Sequence, residues 1–270
     1  MSNQRGIRQH RKNGMAMSNK VAIVTGATGG LGSAIVARLL AADYTVIACG
    51  RNEAKLAKLG TPPKPIFVRM DLVLNRVSGI ASTLRYGAGV TCCDLLVCAH
   101  GAAPVTTPTA ELSLDAFRAV YETDVVGTLK MAQACYPLMR ERGGSMVFVS
   151  SLHAKMTYPA RASYASAKSA VCGLARTLAL EWGPVGVRVN TILPWQCAGP
   201  RGDAFVAQAR EQGYDLLEAY KQRSPLRRLI TAAEVADTVL WLANTPSMNG
   251  AEIVLDGGVS SSMWYEGYQG

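Results

Sequence analysis

The sequence VAIVTGATGGLG, residues 21–32, decides the fold. Residues 21–24 are a short apolar, β-branched run, which is typical of a buried strand. The glycine-rich turn over residues 25–32 follows, and apolar residues then recur at helical spacing over residues 35–40. Glycines let the backbone turn tightly and approach a pyrophosphate, and a helix N-terminus offers free N–H groups. Strand, turn and helix in this order therefore predict a dinucleotide site.

Six further apolar runs continue the pattern, and segments with helical periodicity separate them. Strands that alternate with helices are typical of a parallel sheet covered on both faces. The sequence therefore predicts an α/β fold, a doubly wound, Rossmann-type parallel sheet of about seven strands with helices on both faces. The predicted strands cover residues 21–24, 45–49, 65–70, 94–99, 145–149, 187–193 and 251–255.

The later helices are predicted from periodicity and stop signals. Two of them cover about residues 111–120 and 124–141. Another contains Tyr164 and ends near Trp182, where Gly183-Pro184 stops it. Residues 196–224 show no clear strand and are expected at the carboxyl edge of the sheet, where ligands bind. We interpret them as a segment that covers the substrate, helical near residues 203–221.

Composition narrows the class of protein. The 270 residues are 49% apolar and 17% charged, as in globular chains that bury a sizeable core. Residues 1–19 carry four of the nine net positive charges and are expected to form a flexible basic tail, before a single domain over residues 20–270. The other basic residues are scattered, which argues against nucleic acid. Because no run reaches the roughly 20 apolar residues of a membrane span, we predict a cytoplasmic protein without membrane contact.

The seven cysteines show no Cys-x-x-Cys pair and no spacing typical of metal ligands. Most lie within apolar runs, so we interpret them as buried free thiols in a reducing compartment. The sequence thus predicts no metal site.

A second motif follows the fifth predicted strand. Ser151 lies where that strand ends, and Tyr164 and Lys168 are four residues apart on the next helix, so they share one face. An ammonium beside a phenol favours the phenolate and lowers its pKa from about 10 toward working pH. A serine hydroxyl stabilises negative charge on a carbonyl oxygen. The set suits interconversion of an alcohol and a ketone, although Tyr and Lys at this spacing also occur as a plain surface pair.

The loop after the second strand bears on the identity of the dinucleotide. An acidic residue there accepts hydrogen bonds from the ribose hydroxyls of NAD, but Gly50 occupies that position and Arg51 follows. Because a guanidinium binds a 2′-phosphate well, NADP(H) is favoured and NAD(H) stays possible. The alternative is that Arg51 is only a solvated loop residue. Asp71, after the third strand, either accepts from the adenine amino group or caps the next helix.

Taken together, the motifs of the chain resemble those of the short-chain dehydrogenase/reductase family in its compact single-domain form. The resemblance covers roughly residues 19 to 260. It rests on Thr25-Gly26-x-x-x-Gly30-x-Gly32, on Ser151 with Tyr164-x-x-x-Lys168, on Arg188-Val189-Asn190-x-Ile192-x-Pro194 and on Asp256-Gly257-Gly258. The Tyr-x-x-x-Lys spacing differs from that of the enoyl reductase branch, whose Lys lies further from its Tyr.

The resemblance implies a role for each matched residue. Tyr164 would be the acid-base residue and Ser151 would polarise the substrate oxygen. Lys168 would lower the pKa of Tyr164 and bind the nicotinamide ribose. A homotetramer or homodimer that acts on a small molecule is also implied. The predicted cofactor contacts are Gly26, Thr28, Gly30, Leu31, Gly32, Arg51, Asp71, Leu72, Ala99, Gly101, Tyr164, Lys168 and Pro194.

Three positions depart from the family pattern. The usual Asn-Asn-Ala-Gly after the fourth strand is Cys98-Ala99-His100-Gly101, so the amide side chains that steady this strand are missing. The fourth catalytic position, usually an Asn that holds a water near the Lys, is Asp124. An aspartate accepts from the same water and favours the charged Lys168. Trp195 replaces the usual Gly after Pro194, and is expected either to line the substrate pocket or to pack beneath the covering segment.

The predicted pocket residues His153, Met156, Tyr158 and Trp195 indicate a mostly apolar, aromatic cavity. The hypothesis is therefore a cyclic or aromatic secondary alcohol or ketone, with His153 either catalytic or a structural hydrogen-bonding residue. A reductase of 3-oxoacyl thioesters shares all these motifs, and its carrier would bind the basic residues Arg201, Arg210, Arg223, Arg227 and Arg228. A more distant alternative is a non-catalytic redox sensor that only binds the dinucleotide.

Overall fold

The described residues of the computed structural model, 20–56, 64–103, 106–199, 206–207, 209–211 and 213–261, form one seven-stranded parallel sheet. Its strand order is β3-β2-β1-β4-β5-β6-β7. The doubly wound sheet predicted from the sequence is confirmed. The tail predicted over residues 1–19 lies outside the described residues. The strands are β1 Val21–Thr25, β2 Thr45–Gly50, β3 Ile66–Arg69, β4 Leu95–Cys98, β5 Gly144–Val149, β6 Val187–Pro194 and β7 Glu252–Leu255.

The helices lie between these strands. They are α1 Gly30–Ala41, α2 Glu53–Leu56, α3 Val77–Ser82, α4 Leu114–Tyr121, α5 Gly127–Cys135, α6 Ala162–Trp182, α7 Leu216–Arg223 and α8 Ala232–Asn244. The end of α6 at Trp182 confirms the stop at Gly183-Pro184. Of the helix predicted near residues 203–221, residues 206–207 and 209–211 are helical and residues 216–221 belong to α7, whereas residues 203–205, 208 and 212 lie outside the described residues.

Helices cover both faces of the sheet because strand side chains alternate between two cores. Ile23 of β1 belongs to one core with Met131 of α5 and Val171 of α6. The neighbouring Val24 belongs to the other core with Leu39 of α1. Continuous apolar runs thus become strands that are buried on both sides. In the described part of the chain, no helix is long and apolar enough to cross a membrane.

The helices predicted over residues 111–120 and 124–141 are joined in the structure. A π-turn, Glu122–Val126, connects α4 to α5, and the N–H of Gly127 donates to the carbonyl of Glu122. Such turns widen a helix by one residue and often occur at functional sites. This turn directs the side chain of Asp124 into the interior, and Asp124 is only 1% exposed to solvent. The second helix ends earlier than predicted, at Cys135, because Pro137 opens a 3₁₀ turn.

The strand order reverses direction at β1, which pairs with β2 on one side and with β4 on the other. In open α/β sheets, ligands bind at the carboxyl ends of the strands that flank such a point. The glycine-rich turn, His100-Gly101 and the π-turn all follow or face these strand ends. The fold therefore assembles the candidate site from distant parts of the sequence.

Candidate active site

The glycine-rich turn brings three backbone segments into close contact. Gly26 has φ +64°, and a Cβ on it would lie 2.6 Å from the carbonyl oxygen of Ala99. A Cβ on Gly32 would lie 2.1 Å from the carbonyl oxygen of Gly26. Helix α1 begins at Gly30, and its N-cap residue Gly29 has no side chain to cap the first N–H groups. The turn thus presents backbone donors at the positive end of a helix dipole.

A cleft of about 790 Å³ lies beside this turn, and its size falls within the range of small-molecule sites. The glycine cradle and the helix N-terminus fit the pyrophosphate of a dinucleotide. Of the predicted cofactor residues, Gly30, Leu31 and Gly32 open α1, and Pro194 is buried at the end of β6. The predicted residues that line the cleft are Gly26, Thr28, Arg51, Asp71, Leu72, Ala99 and Gly101.

One end of the cleft is basic. Arg51 lies there with two cations that sequence reasoning missed, Lys55 and Arg69. Arg69 ends β3 and pairs in register with Gly50, so the parallel alignment of β2 and β3 could have revealed it. Asp71 caps the turn that follows it, accepting from the N–H of Val73 at 2.9 Å, and it also lines the cleft.

At the other end of the cleft, Asp124 and Lys168 form a buried ion pair. Lys168 Nζ lies 2.9 Å from Asp124 Oδ2, and the two side chains are 6% and 0% exposed. Asp124 Oδ1 accepts from the N–H of Ala102 at 2.6 Å. A Cβ on Gly101 would lie 3.3 Å from Lys168 Nζ, which places the ammonium directly behind the cleft wall. Where the family pattern led us to expect a water between these positions, the carboxylate contacts the ammonium itself.

Tyr164 is half-buried, and Lys168 Nζ lies 5.5 Å from the centre of its ring. Ser151 follows β5, and its Oγ accepts from the N–H of His153 at 3.2 Å. That bond uses a lone pair of the hydroxyl, so the hydroxyl hydrogen remains to donate to a substrate oxygen. Ser151 and Tyr164 both contact His153, and Lys168 lies beside Tyr164, but Ser151, Tyr164, Lys168 and Asp124 are not among the residues that line the cleft.

Aromatic rings extend from Tyr164 toward α7. The ring of His153 meets Tyr164 edge-on at 5.5 Å and Tyr158 at 4.7 Å. Trp195 meets Tyr220 of α7 edge-on at 5.7 Å. Tyr220 was not predicted from the sequence, because no residue pattern in α7 indicates which side of that helix faces the site. Burial, reinforced by the neighbouring Tyr158, raises the pKa of Tyr220 to about 12.

The remaining predicted pocket residues differ in their surroundings. Met156 is exposed, so it contributes less to the pocket than expected. His153 Nδ1 lies 2.9 Å from Thr157 Oγ1. Burial, reinforced by the charge of Arg161, lowers the pKa of His153 to about 4 and keeps the ring neutral at physiological pH. A neutral, hydrogen-bonded ring supports the structural interpretation of His153.

All seven cysteines are free, and five of them are buried, as the sequence predicted. Within the described residues, no group of His, Cys, Asp or Glu is arranged to hold a metal ion.

Comparison with known proteins identifies similar chains along nearly the whole length. The family model described as enoyl-(acyl carrier protein) reductase matches residues 26–260. D-threitol dehydrogenase of Mycolicibacterium smegmatis is 32% identical over 260 residues, which cover 90% of this chain and 93% of the relative. Cis-4-hydroxycyclohexanecarboxylate dehydrogenase of Sinomonas cyclohexanicum is 30% identical, with 92% and 99% covered. The crystal structure of levodione reductase superposes with a TM-score of 0.82 at 25% identity, with 92% and 100% covered.

Proposed function

The chain belongs to the short-chain dehydrogenase/reductase family, and we propose that it is an NADP(H)-dependent oxidoreductase that interconverts a secondary alcohol and a ketone. The family's named dehydrogenases and reductases make it an oxidoreductase enzyme. The observation that carries the finer proposal is the position of Lys168 Nζ, which lies 5.5 Å from the ring centre of Tyr164 and 3.3 Å from where a Cβ on Gly101, in the cleft wall, would lie.

Each residue of this set has a distinct part in the proposal. When bound, the nicotinamide cofactor supplies or accepts the hydride. Tyr164 transfers a proton to or from the substrate oxygen, and the ammonium of Lys168 lies 5.5 Å from the centre of its ring. Ser151 donates a hydrogen bond to the same oxygen as its charge develops. Lys168, which Asp124 holds beside Gly101, would bind the nicotinamide ribose.

The preference for NADP(H) is supported by the charges at the basic end of the cleft. Arg51, Lys55 and Arg69 are all exposed there, and Gly50 stands where an acidic residue would favour NAD(H). Three cations around one position match a 2′-phosphate better than a bare ribose hydroxyl.

Arg51→Ala is expected to weaken NADPH binding by about tenfold to a hundredfold, because a hydrogen bond to a charged group is lost. NADH carries no 2′-phosphate, so its dissociation constant should change little. Fluorescence titration of both cofactors measures the difference. Arg140→Ala, an exposed arginine after α5, is the matched control. Equal losses for the two cofactors would show that Arg51 does not bind a 2′-phosphate.

A cyclic or aromatic substrate is supported by the rings beside Tyr164. The ring of His153 meets those of Tyr164 and Tyr158 edge-on, and the ring of Trp195 meets that of Tyr220 edge-on. The named relatives differ on this point, since one name contains a hydroxycyclohexane and another a sugar alcohol. The local residues, rather than the relatives, therefore carry this part of the proposal.

A panel of substrates tests it. With NADP⁺, we expect cyclic and aryl secondary alcohols to be oxidised with kcat/KM at least about tenfold above that of open-chain polyols, since buried apolar contact adds about 1–3 kcal/mol. The assay follows cofactor absorbance. Turnover confined to polyols would refute the substrate class while leaving the reaction type intact.

A 3-oxoacyl-thioester reductase is the second candidate, favoured by the solved structure of a putative β-ketoacyl-ACP reductase, which superposes with a TM-score of 0.75 at 30% identity. Tyr164 and Lys168 keep the four-residue spacing that argues against the enoyl branch itself. Arg223 and Arg227 are exposed around the end of α7. Arg228 donates a hydrogen bond to Glu234, and Arg201 lies outside the described residues. Including acyl thioesters in the panel separates the two candidates. A homotetramer or homodimer remains a prediction from the family resemblance, and a cytoplasmic location remains a prediction from the sequence.

A further inference from the structure

His100 takes no part in the steps proposed above, yet its ring joins two elements that build the site. It lines the cleft at the position after β4 where the family pattern has alanine. Its Nδ1 lies 2.6 Å from Oγ1 of Thr25, the last residue of β1. Its Nε2 lies 3.4 Å from Oγ1 of Thr128 on α5. The ring thus spans from the start of the glycine-rich turn to the helix behind the cleft.

On the helix side, the contacts of His100 converge on the π-turn. Thr128, which the ring contacts, lies directly after the π-turn Glu122–Val126 on α5. Thr128 Oγ1 donates to the carbonyl oxygen of Asp124 at 2.7 Å. Asp124 in turn holds Lys168 at 2.9 Å. A short series of hydrogen bonds therefore connects the imidazole to the residue that fixes the lysine.

The protonation state of His100 suits these partners. Burial, reinforced by the charge of Lys168, lowers the pKa of His100 to about 4, so the ring is neutral at physiological pH. A neutral imidazole has one donor nitrogen and one acceptor nitrogen. Because the hydroxyl hydrogen of Thr128 is used on Asp124, its oxygen can accept from Nε2–H. Nδ1 then accepts from the hydroxyl of Thr25, and both ring nitrogens are satisfied.

The fold also provides a place for the ring. A Cβ on Gly127, the first residue of α5, would lie 3.2 Å from His100 Nε2, so a larger residue there would press on the imidazole. The amide side chains that usually steady this strand are absent, since Cys98 and Ala99 stand in their places. His100 is therefore a polar residue that can connect the end of β4 to Thr25 and Thr128 through hydrogen bonds.

We propose that His100 is a positioning residue, whose neutral ring ties the glycine-rich turn to the π-turn and thereby holds the Asp124–Lys168 pair against the cofactor cleft. The proposal rests on the proposed function for its effect on turnover. Its effect on cofactor binding is independent of the substrate.

Three substitutions test this role. His100→Ala is expected to raise the NADPH dissociation constant about threefold to tenfold, the equivalent of one hydrogen bond. It should lower kcat by about tenfold to a hundredfold, because the lysine loses its fixed position. His100→Gln, which carries an amide near the place of Nε2, should restore most of kcat. His100→Asn, which reaches only the place of Nδ1, should restore less.

Val239→Ala is the control for loss of packing, because Val239 is fully buried in the core on the opposite face, on α8. It should lower the melting temperature without changing NADPH affinity or kcat. Thr128→Val should lower kcat without changing the NADPH affinity. In combination with His100→Ala it should lower kcat little further, because both residues act through one series of hydrogen bonds. If His100→Ala does not fold, the Gln, Asn and Thr128→Val variants decide.

The positioning role would be overturned if the His100 variants changed only the melting temperature and kept the NADPH affinity and kcat of Val239→Ala. Equal rescue by Gln and Asn would also overturn it, because the link to the π-turn would then be irrelevant. If the wild-type protein turned over no ketone, the proposed function would fail by itself. The NADPH titrations of the same variants would still decide the role of His100.

Discussion

Tyr164→Phe is expected to lower kcat by about a thousandfold, within the range that a positioned acid-base group contributes. The substitution removes only the phenolic hydroxyl. The ring keeps its place beside His153, 5.5 Å away, and Lys168 stays one helical turn on. NADPH affinity should therefore change little. Stopped-flow and steady-state kinetics with a cyclic ketone, together with a fluorescence titration of NADPH, measure both quantities.

Tyr136→Phe is the matched control for this variant. Tyr136 stacks on Trp182 at 4.5 Å at the far end of α5 and α6, so its hydroxyl has no part in the site. It should be as active as the wild type. A Tyr164→Phe variant that retained full activity would remove Tyr164 from the chemistry.

Asp124→Ala is expected to lower the stability of the fold by about 3–5 kcal/mol, because it leaves the buried ammonium of Lys168 without its carboxylate. For a chain of this size the melting temperature should fall by about 10 °C. The N–H of Ala102 also loses the acceptor that it meets at 2.6 Å. Activity should fall with it, since Lys168 is no longer held behind Gly101. Thermal unfolding followed by circular dichroism measures the change.

Asp124→Asn separates charge from shape. An amide oxygen still accepts from the N–H of Ala102 and can still face Lys168, and the family pattern has Asn at this position. We expect activity to be preserved or raised, with a smaller loss of stability than in Asp124→Ala. A collapse of the rate in the Asn variant would mean that the enzyme relies on the carboxylate itself.

The fold could be predicted from the sequence because its signals are local. Seven apolar runs become seven strands, and the glycines of the first turn are required by close backbone contacts that a motif already encodes. The stop of α6 at Trp182 follows from Gly183-Pro184. The shared face of Tyr164 and Lys168 was predicted for the same reason, since helical periodicity alone places residues four apart on one side of α6.

The rest of the site depends on contacts between distant segments. The direct Asp124–Lys168 pair requires the π-turn, and no residue pattern in Glu122–Val126 distinguishes that turn from a regular helix. Arg69 becomes a cleft residue only through the register of β3 on β2. The two hydroxyl partners of His100 lie 75 and 28 residues from it along the chain, so the sequence shows the departure from the family pattern but not the contacts that compensate for it.

The most decisive test is to incubate the wild-type protein with NADPH and a cyclic ketone, and to quantify both the cofactor oxidised and the alcohol formed. The set Ser151, Tyr164 and Lys168 predicts ketone-dependent oxidation with one alcohol formed for each NADPH consumed. Tight NADPH binding without oxidation by any cyclic, aryl or acyl-thioester ketone would contradict it, and would instead support a protein that binds the dinucleotide as a redox sensor.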